Sequence, residues 1–172
     1  KGTIKNLVIN NADITSQYIK TNAGILVGRN EGEISNVEVN GNINTPNYIN
    51  VGGIAGYVLI SENDKLNNNK NTASVQGLNN VGGIVGFTTS IPNENYSTSK
   101  VYTISNNINE GRIEGNNNVG GIFGAIQGGN QAAYNREYSY FQVMYSANTG
   151  NIICDYYVIN TNTTTYGKVL GE

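Results

Sequence analysis

One six-residue phrase recurs along this chain and limits what it can fold into more than any other feature. Val-Gly-Gly-Ile-x-Gly stands at residues 51–56, 81–86 and 119–124, and weaker copies stand at 24–28 and 167–171. A phosphate-binding glycine loop occurs once per site and opens a helix, whereas no copy here is followed by a helical pattern. The recurrence instead predicts stacked structural repeats.

A second element alternates with the glycine phrase. In each copy, an aliphatic residue is followed by Gly or Ala seven positions later and by Ile or Val nine positions later. The aliphatic residues that open the four clear copies are Ile34, Leu66, Ile104 and Val143. Residues Ile4 to Ile14 form a looser first copy. The two alternating elements predict that equivalent positions of successive repeats lie side by side.

The connection that follows each glycine phrase is the part whose length varies most. Insertions at one recurring point are typical of stacked repeats, because each repeat exposes the same corner to solvent. We therefore predict one domain over residues 1–172, with insertions at 57–65, 87–103 and 125–142. Because the chain begins with Lys1 and not with Met, we interpret it as an excised piece of a longer protein.

The predicted fold is all-β, a parallel β-solenoid (β-helix) of about four to five rungs with loop insertions at one corner. Equivalent short strands would stack about 4.8 Å apart. The Ile of each phrase would point into a narrow core, and its glycines would permit tight corners and close approach of neighbouring rungs. These structural glycines are Gly52, Gly53, Gly56, Gly82, Gly83, Gly86, Gly120, Gly121 and Gly124.

The alternation of Val-Gly-Gly-Ile-x-Gly with Asn-x-Gly-x-Ile resembles the GLUG repeat family over residues 24–172. The resemblance implies a right-handed solenoid, as do parallel crossovers in general. It also implies an extracellular bacterial protein, secreted or attached to the cell wall. GLUG repeats occur in adhesin-like proteins and in the N-terminal regions of some immunoglobulin A1 metallopeptidases.

Composition argues against an enzyme. Histidine is absent, which removes His-based catalysis and His metal ligation. The aspartates Asp13, Asp64 and Asp155 fall at different repeat positions, so no paired carboxylates are expected. The single cysteine, Cys154, is expected to be a small buried apolar residue. We predict no catalytic residue, no metal site and no cofactor.

Charge and hydropathy exclude two further classes of partner. The net charge is -2, which gives no general attraction to nucleic acid. No apolar run is long enough to cross a bilayer, so membrane insertion is not expected.

Aromatic residues in the third insertion and directly after it are the candidate binding residues, together with one cation. They are Tyr134, Arg136, Tyr138, Tyr140, Phe141 and Tyr145. Exposed together, the rings would offer stacking faces for sugars or a surface for a protein. The preceding insertion adds Tyr96 and Tyr102 to these aromatic residues. The alternative is that they all cover an edge of the solenoid and pack among themselves.

Asparagine recurs at two fixed positions of the second element. One set is Asn36, Asn68 and Asn106, and the other is Asn71, Asn109 and Asn148. Stacked amides can form ladders along the axis, and each Asn can also occupy a left-handed corner of its own rung. We expect a mixture of the two, both structural. The alignment of Glu38 with Lys70 suggests an ion pair between rungs.

These observations predict a non-catalytic structural and adhesive module. It would space the neighbouring domains of its polypeptide and present its insertion loops to a host protein or a glycan. The alternative is an accessory substrate-recognition domain of a secreted metallopeptidase of the immunoglobulin A1 protease type, with the catalytic domain outside this chain.

Overall fold

The computed structural model describes residues 2–61, 64–90, 100–127 and 139–154. These residues form strands and connections without a helix, and every strand pair among them is parallel, as in an all-β fold of parallel sheets. The strands are β1 Thr3–Thr15, β2 Lys20–Gly24, β3 Val27–Asn30, β4 Glu33–Asn44, β5 Tyr48–Gly52, β6 Ala55–Ile60, β7 Leu66–Asn67, β8 Lys70–Asn71, β9 Ser74–Gln76, β10 Asn79–Gly82, β11 Val85–Ser90, β12 Lys100–Ser105, β13 Ile108–Asn109, β14 Ile113–Gly115, β15 Asn117–Gly120, β16 Phe123–Gln127, β17 Ser139–Met144, β18 Ala147–Asn148 and β19 Ile152–Cys154.

The strands assemble into three sheets. The first sheet has 11 strands and contains the order β17-β12-β7-β4-β8-β13-β18, with β1, β9, β14 and β19 paired beside this path. The second sheet has the order β15-β10-β5-β2, and the third has the order β16-β11-β6-β3. The inner strands of these two sheets, β5, β10, β6 and β11, therefore each lie between the equivalent strands of the preceding and following repeats.

The predicted alignment of the second element is confirmed. Ile34 pairs with Leu66, Leu66 with Ile104, and Ile104 with Val143. The looser first copy also pairs in register, because β1 accommodates one extra residue as a bulge between Ile9 and Ala12. Equivalent residues of the repeats thus lie side by side.

Apolar side chains that point between the sheets form two core clusters. The larger contains the phrase residues Ile54, Ile84 and Ile122, which are fully buried as predicted. The smaller lies between the first and second sheets and includes the fully buried Val81 and Ile113. Because the inward residues alternate with outward ones along each strand, the core is narrow and continuous from repeat to repeat.

The predicted insertions at 57–65, 87–103 and 125–142 each contain residues that belong to paired strands. Inward and outward side chains continue to alternate after each glycine phrase, and the strand of the neighbouring repeat supplies hydrogen-bond partners there. Strands accordingly extend into all three predicted insertions. Among the described residues of these three ranges, those outside a strand are 61, 64 and 65.

Asparagine, not the glycine phrase, supplies the left-handed corners. The residues other than glycine with positive φ are Asn6, Asn11, Asn36, Asn68, Asn80, Asn106, Asn118 and Tyr145. Among the glycines of the described residues, Gly41 has a positive φ, of 141°. Asn tolerates the left-handed region better than other residues with a side chain. The phrase glycines also lie where the chain bends between the second and third sheets, at residues 53–54, 83–84 and 121–122, but they do so without positive φ.

Close approach is what the phrase glycines provide. A Cβ added to Gly52, Gly53, Gly82 or Gly83 would overlap the backbone of a residue in the same phrase or in the next repeat. At Gly52, for example, the Cβ would lie 2.7 Å from the amide nitrogen of Gly86, which is too short for van der Waals contact. Neighbouring repeats could not keep their spacing with larger residues at these positions.

Replacing Thr88 with valine is expected to stabilise the chain by about 1 kcal/mol, because the buried hydroxyl has no compensating hydrogen bond. Thr88 is fully buried in a column with Val58 and Ile126, and its hydroxyl has no hydrogen-bond partner among the described residues. Valine has the same shape and removes the unpaired group. Thermal unfolding followed by circular dichroism measures the shift. The matched control is Thr89→Val on the half-buried outer face, and an equal shift in both variants would contradict the explanation.

Candidate ligand-binding surface

The candidate binding residues fall into three groups. Tyr134, Arg136 and Tyr138 lie outside the described residues. Tyr140 is placed through its backbone, which pairs with Val101 in the first sheet. Phe141 and Tyr145 are described in full and occupy different environments.

Phe141 packs as part of the core and does not form an exposed stacking surface. Its ring lies 5.5 Å from the ring of Tyr102, with 30° between the two planes. The two residues are direct neighbours on β12 and β17, and Tyr102 is only 4% exposed. Phe141 is itself partly buried against the larger core cluster. Its assignment as a binding residue is therefore corrected to packing, because its strand position points inward beside Tyr102.

Of the two candidate residues described in full, Tyr145 is the exposed one. Its side chain is 82% exposed, and its φ is 52°. It follows Met144, which pairs with Ser105, so it occupies the corner held by Asn106 in the preceding repeat. An aromatic residue in the left-handed region is a rare and strained combination.

Tyr145 ends a line of corner residues that we call the corner column. Its members are Asn6, Asn36, Asn68, Asn106 and Tyr145. They share positive φ values between 52° and 57°, and each is exposed. They lie in line because the residues that precede them are paired strand positions of the first sheet. The prediction of left-handed corners at Asn36, Asn68 and Asn106 is confirmed.

The second predicted set of asparagines forms a buried amide ladder, here called the inner ladder: Asn71, Asn109 and Asn148. Asn71 Nδ2 donates to Asn109 Oδ1 at 2.7 Å, and Asn109 Nδ2 donates to Asn148 Oδ1 at 2.6 Å. Each amide also donates to the backbone carbonyl two residues later in its own repeat. Both predicted roles of asparagine, ladder and corner, are thus present in this fold.

A further amide ladder on the second sheet was missed in the sequence. Asn22, Asn50, Asn80 and Asn118 are linked by three hydrogen bonds of 2.8 Å. The signal was available, since Asn directly precedes the Val or Ala of each of the first four glycine phrases. These amides are half-buried, so part of each faces solvent.

The third sheet carries an outward stack of rings and a cation. Arg29, Tyr57 and Phe87 are neighbours in register. The Arg29 guanidinium lies 4.9 Å from the centre of the Tyr57 ring, and the rings of Tyr57 and Phe87 are stacked at 5.7 Å. Glu31 accepts two hydrogen bonds from Arg29, at 2.9 and 2.6 Å. Both faces of the Tyr57 ring are occupied, one by the cation and one by the Phe87 ring, so this stack serves mainly to hold register.

The expected ion pair of Glu38 with Lys70 is replaced by another. The two residues are neighbours as predicted, but Lys70 Nζ lies 3.0 Å from Glu110 of the next repeat. The hydrogen bond to Glu110 raises the pKa of Lys70 above its ordinary value, with a smaller contribution from the charge of Glu38. Glu110 can compete with Glu38 for Lys70 because Ile108 is the direct neighbour of Lys70 on the adjacent strand. Glu110, two residues after Ile108, is therefore diagonal to Lys70 and within reach of it.

Cys154 is half-buried rather than fully buried. It packs against the smaller core cluster, and its Sγ donates to the carbonyl oxygen of Asn116 at 3.2 Å. Its apolar contacts agree with a packing role.

Neither a metal-binding cluster nor a membrane-spanning helix is found in the described part of the chain. No three acidic, Cys or His side chains converge there in a way that could hold a metal ion. No helix long and apolar enough to cross a bilayer occurs within the same residues.

Comparison of the chain with protein families found no match, and no curated protein or solved structure matches it either.

Proposed function

We propose that this chain is a non-catalytic structural and adhesive module of a secreted or cell-surface bacterial protein. In this proposal the parallel sheets form a right-handed β-solenoid of four to five rungs, similar to GLUG repeats. The solenoid spaces neighbouring domains and presents its surface to a host protein or glycan. The observation that carries the proposal is the unbroken parallel register of equivalent residues from one repeat to the next.

Register of this kind suits a spacer. Each repeat contacts mainly its neighbours, so the stack can extend along one axis while the side chains on its faces vary freely. The inner ladder joins the repeats that contain Asn71, Asn109 and Asn148, and the two core clusters continue the apolar contacts along the stack. The outward positions are thereby available for recognition.

The proposed function is tested by displaying the chain on the surface of a non-adherent bacterium. Retention of the cells on immobilised mucin and fibronectin is compared with that of cells displaying Gly83→Ala, a variant expected to be strongly destabilised. We expect several-fold higher retention with the native chain, and equal retention would overturn the adhesive role. Immunoglobulin A1 is assayed in parallel. Its cleavage by the chain would contradict a non-catalytic role, and its binding without cleavage would favour the accessory-domain alternative.

A further inference from the structure

Tyr145 breaks the pattern of the corner column at an energetic cost. The four preceding corner residues are Asn, which accepts positive φ more readily than a bulky aromatic residue. Strain of this kind is retained where the residue does something other than stabilise the fold. Burial does not repay it, since Tyr145 is 82% exposed.

The asparagines next to Tyr145 have amide groups that are open to a ligand. Asn68 and Asn106 are exposed, and their side chains make no hydrogen bond to another described residue. Each amide offers one acceptor oxygen and two N–H donors. Because the column follows strand spacing, successive amides recur about every 4.8 Å, a step comparable with the length of one pyranose residue.

The segments that carry Tyr145 and Asn106 contain no charged residue. Residues 101–109 and 140–154 contain no Asp, Glu, Lys or Arg, and the Lys70 and Glu110 side chains beside Ile108 form an ion pair with each other. Ile108, at 38% exposure, and Ala147, two residues after Tyr145, are exposed neighbours on the first sheet. An exposed ring beside amides, without an unpaired cation among these residues, matches the C–H faces and hydroxyl groups of a neutral sugar better than it matches a phosphate or a uronic acid.

We propose that the C-terminal end of the corner column binds a linear, neutral oligosaccharide that runs along the stacking direction. Tyr145 stacks on the face of one sugar ring, and Asn106 and Asn68 bind the hydroxyl groups of the next rings. This inference rests on the proposed adhesive function and names the ligand class for it.

The test measures binding of three neutral hexasaccharides, of β-1,4-linked glucose, N-acetylglucosamine or mannose, by isothermal titration calorimetry on the full chain. Hexagalacturonate is the charged comparison. At least one neutral hexasaccharide is expected to bind, and Tyr145→Asn is expected to weaken it at least tenfold. The same substitution relieves the backbone strain and is expected to raise the melting temperature by about 2–4 °C. Loss of binding in a more stable protein cannot be explained by unfolding.

Two further variants separate ligand binding from folding. Tyr18→Asn removes another exposed tyrosine, at 77% exposure, and is expected to leave both affinity and melting temperature unchanged. Asn106→Gly keeps a residue that tolerates positive φ but removes the amide, so binding is expected to fall several-fold in a folded protein.

Three results would overturn the inference: no neutral hexasaccharide binds at millimolar concentration, hexagalacturonate binds more tightly, or Tyr145→Asn binds as the native chain does. If cells displaying Tyr145→Asn still adhere to mucin or fibronectin, the inference fails while the adhesive function stands. If the native chain confers no adhesion, the proposed function is overturned, whatever calorimetry shows for the hexasaccharides.

Discussion

Replacing Gly83 with alanine is expected to destabilise the chain by about 3–5 kcal/mol, which is a large part of the stability of an ordinary domain. A Cβ at this position would overlap the carbonyl oxygen of Gly121 in the next repeat and also the side-chain amide of Asn109. The first obstacle is backbone and the second is fully buried, so neither can move aside without breaking the stack. Denaturation by guanidinium chloride, followed by circular dichroism, measures the loss.

The matched control is Gly28→Ala, at the last glycine of the weaker phrase at 24–28. Its added Cβ would lie 3.3 Å from the carbonyl oxygen of Asn22, with the next neighbours at 3.9 Å. A shift of a few tenths of an ångström relieves this contact, and alanine reduces the entropy of the unfolded chain. The expected change is within about 1 kcal/mol of zero. If Gly28→Ala and Gly83→Ala were equally destabilising, the loss would reflect glycine content and not close approach.

The register of the fold could be predicted from the sequence because the repeats carry their own alignment. Ile34 and Leu66 occupy the same place in successive copies, and stacking in parallel leaves equivalent residues as neighbours. The burial of the phrase residue Ile84 followed from the period-two pattern for the same reason. Repetition thus replaced the long-range information that a single sequence usually lacks.

Features that depend on one repeat alone were harder to predict. Phe141 is aromatic and lies in a predicted insertion, and only its pairing with Tyr102 shows that it points inward. The insertion boundaries failed similarly, because a strand continues wherever the neighbouring repeat offers hydrogen-bond partners, even without sequence similarity. Thr88 occupies an inward position that its polarity would not suggest.

The candidate surface also combines a feature that the sequence predicts with features that only the structure shows. Tyr145 was identified as an aromatic residue near an insertion, but its significance comes from its alignment with Asn106 and from its positive φ. Neither the backbone angle nor the exposure of the ring can be deduced from composition. The second-sheet ladder that includes Asn80 depends on strand pairing, because Asn80 reaches Asn50 only when the phrases that follow them stack in register.

The inner ladder leads to the second large effect: Asn109→Asp is expected to destabilise the chain by about 3–5 kcal/mol at neutral pH. All hydrogen-bonding positions of the Asn109 amide are used. Its Nδ2 donates to the Gly111 carbonyl oxygen at 3.0 Å and to Asn148 Oδ1 at 2.6 Å, and its Oδ1 accepts from Asn71 Nδ2 and from the Gly111 amide. Aspartate has nearly the same shape, but it removes both donors and places a charge in a fully buried site. Chemical denaturation measures the loss, which should shrink as the pH falls and the carboxyl group is protonated.

Asn118→Asp is the matched control, because Asn118 ends the ladder of the second sheet and is half-buried. It loses one donor hydrogen bond to Asn80 and keeps access to solvent, so a loss of about 1 kcal/mol is expected. Equal losses at the two sites would show that burial of the inner ladder is unimportant.

The two large predictions are also coupled, since a Cβ at position 83 would overlap the Asn109 amide. Combining Gly83→Ala with Asn109→Ala removes that overlap, and the double variant should therefore lose less stability than the sum of the single variants. Additive losses would mean that the second glycine of the phrase acts only through the backbone of the next repeat, and that its contact with the ladder contributes nothing.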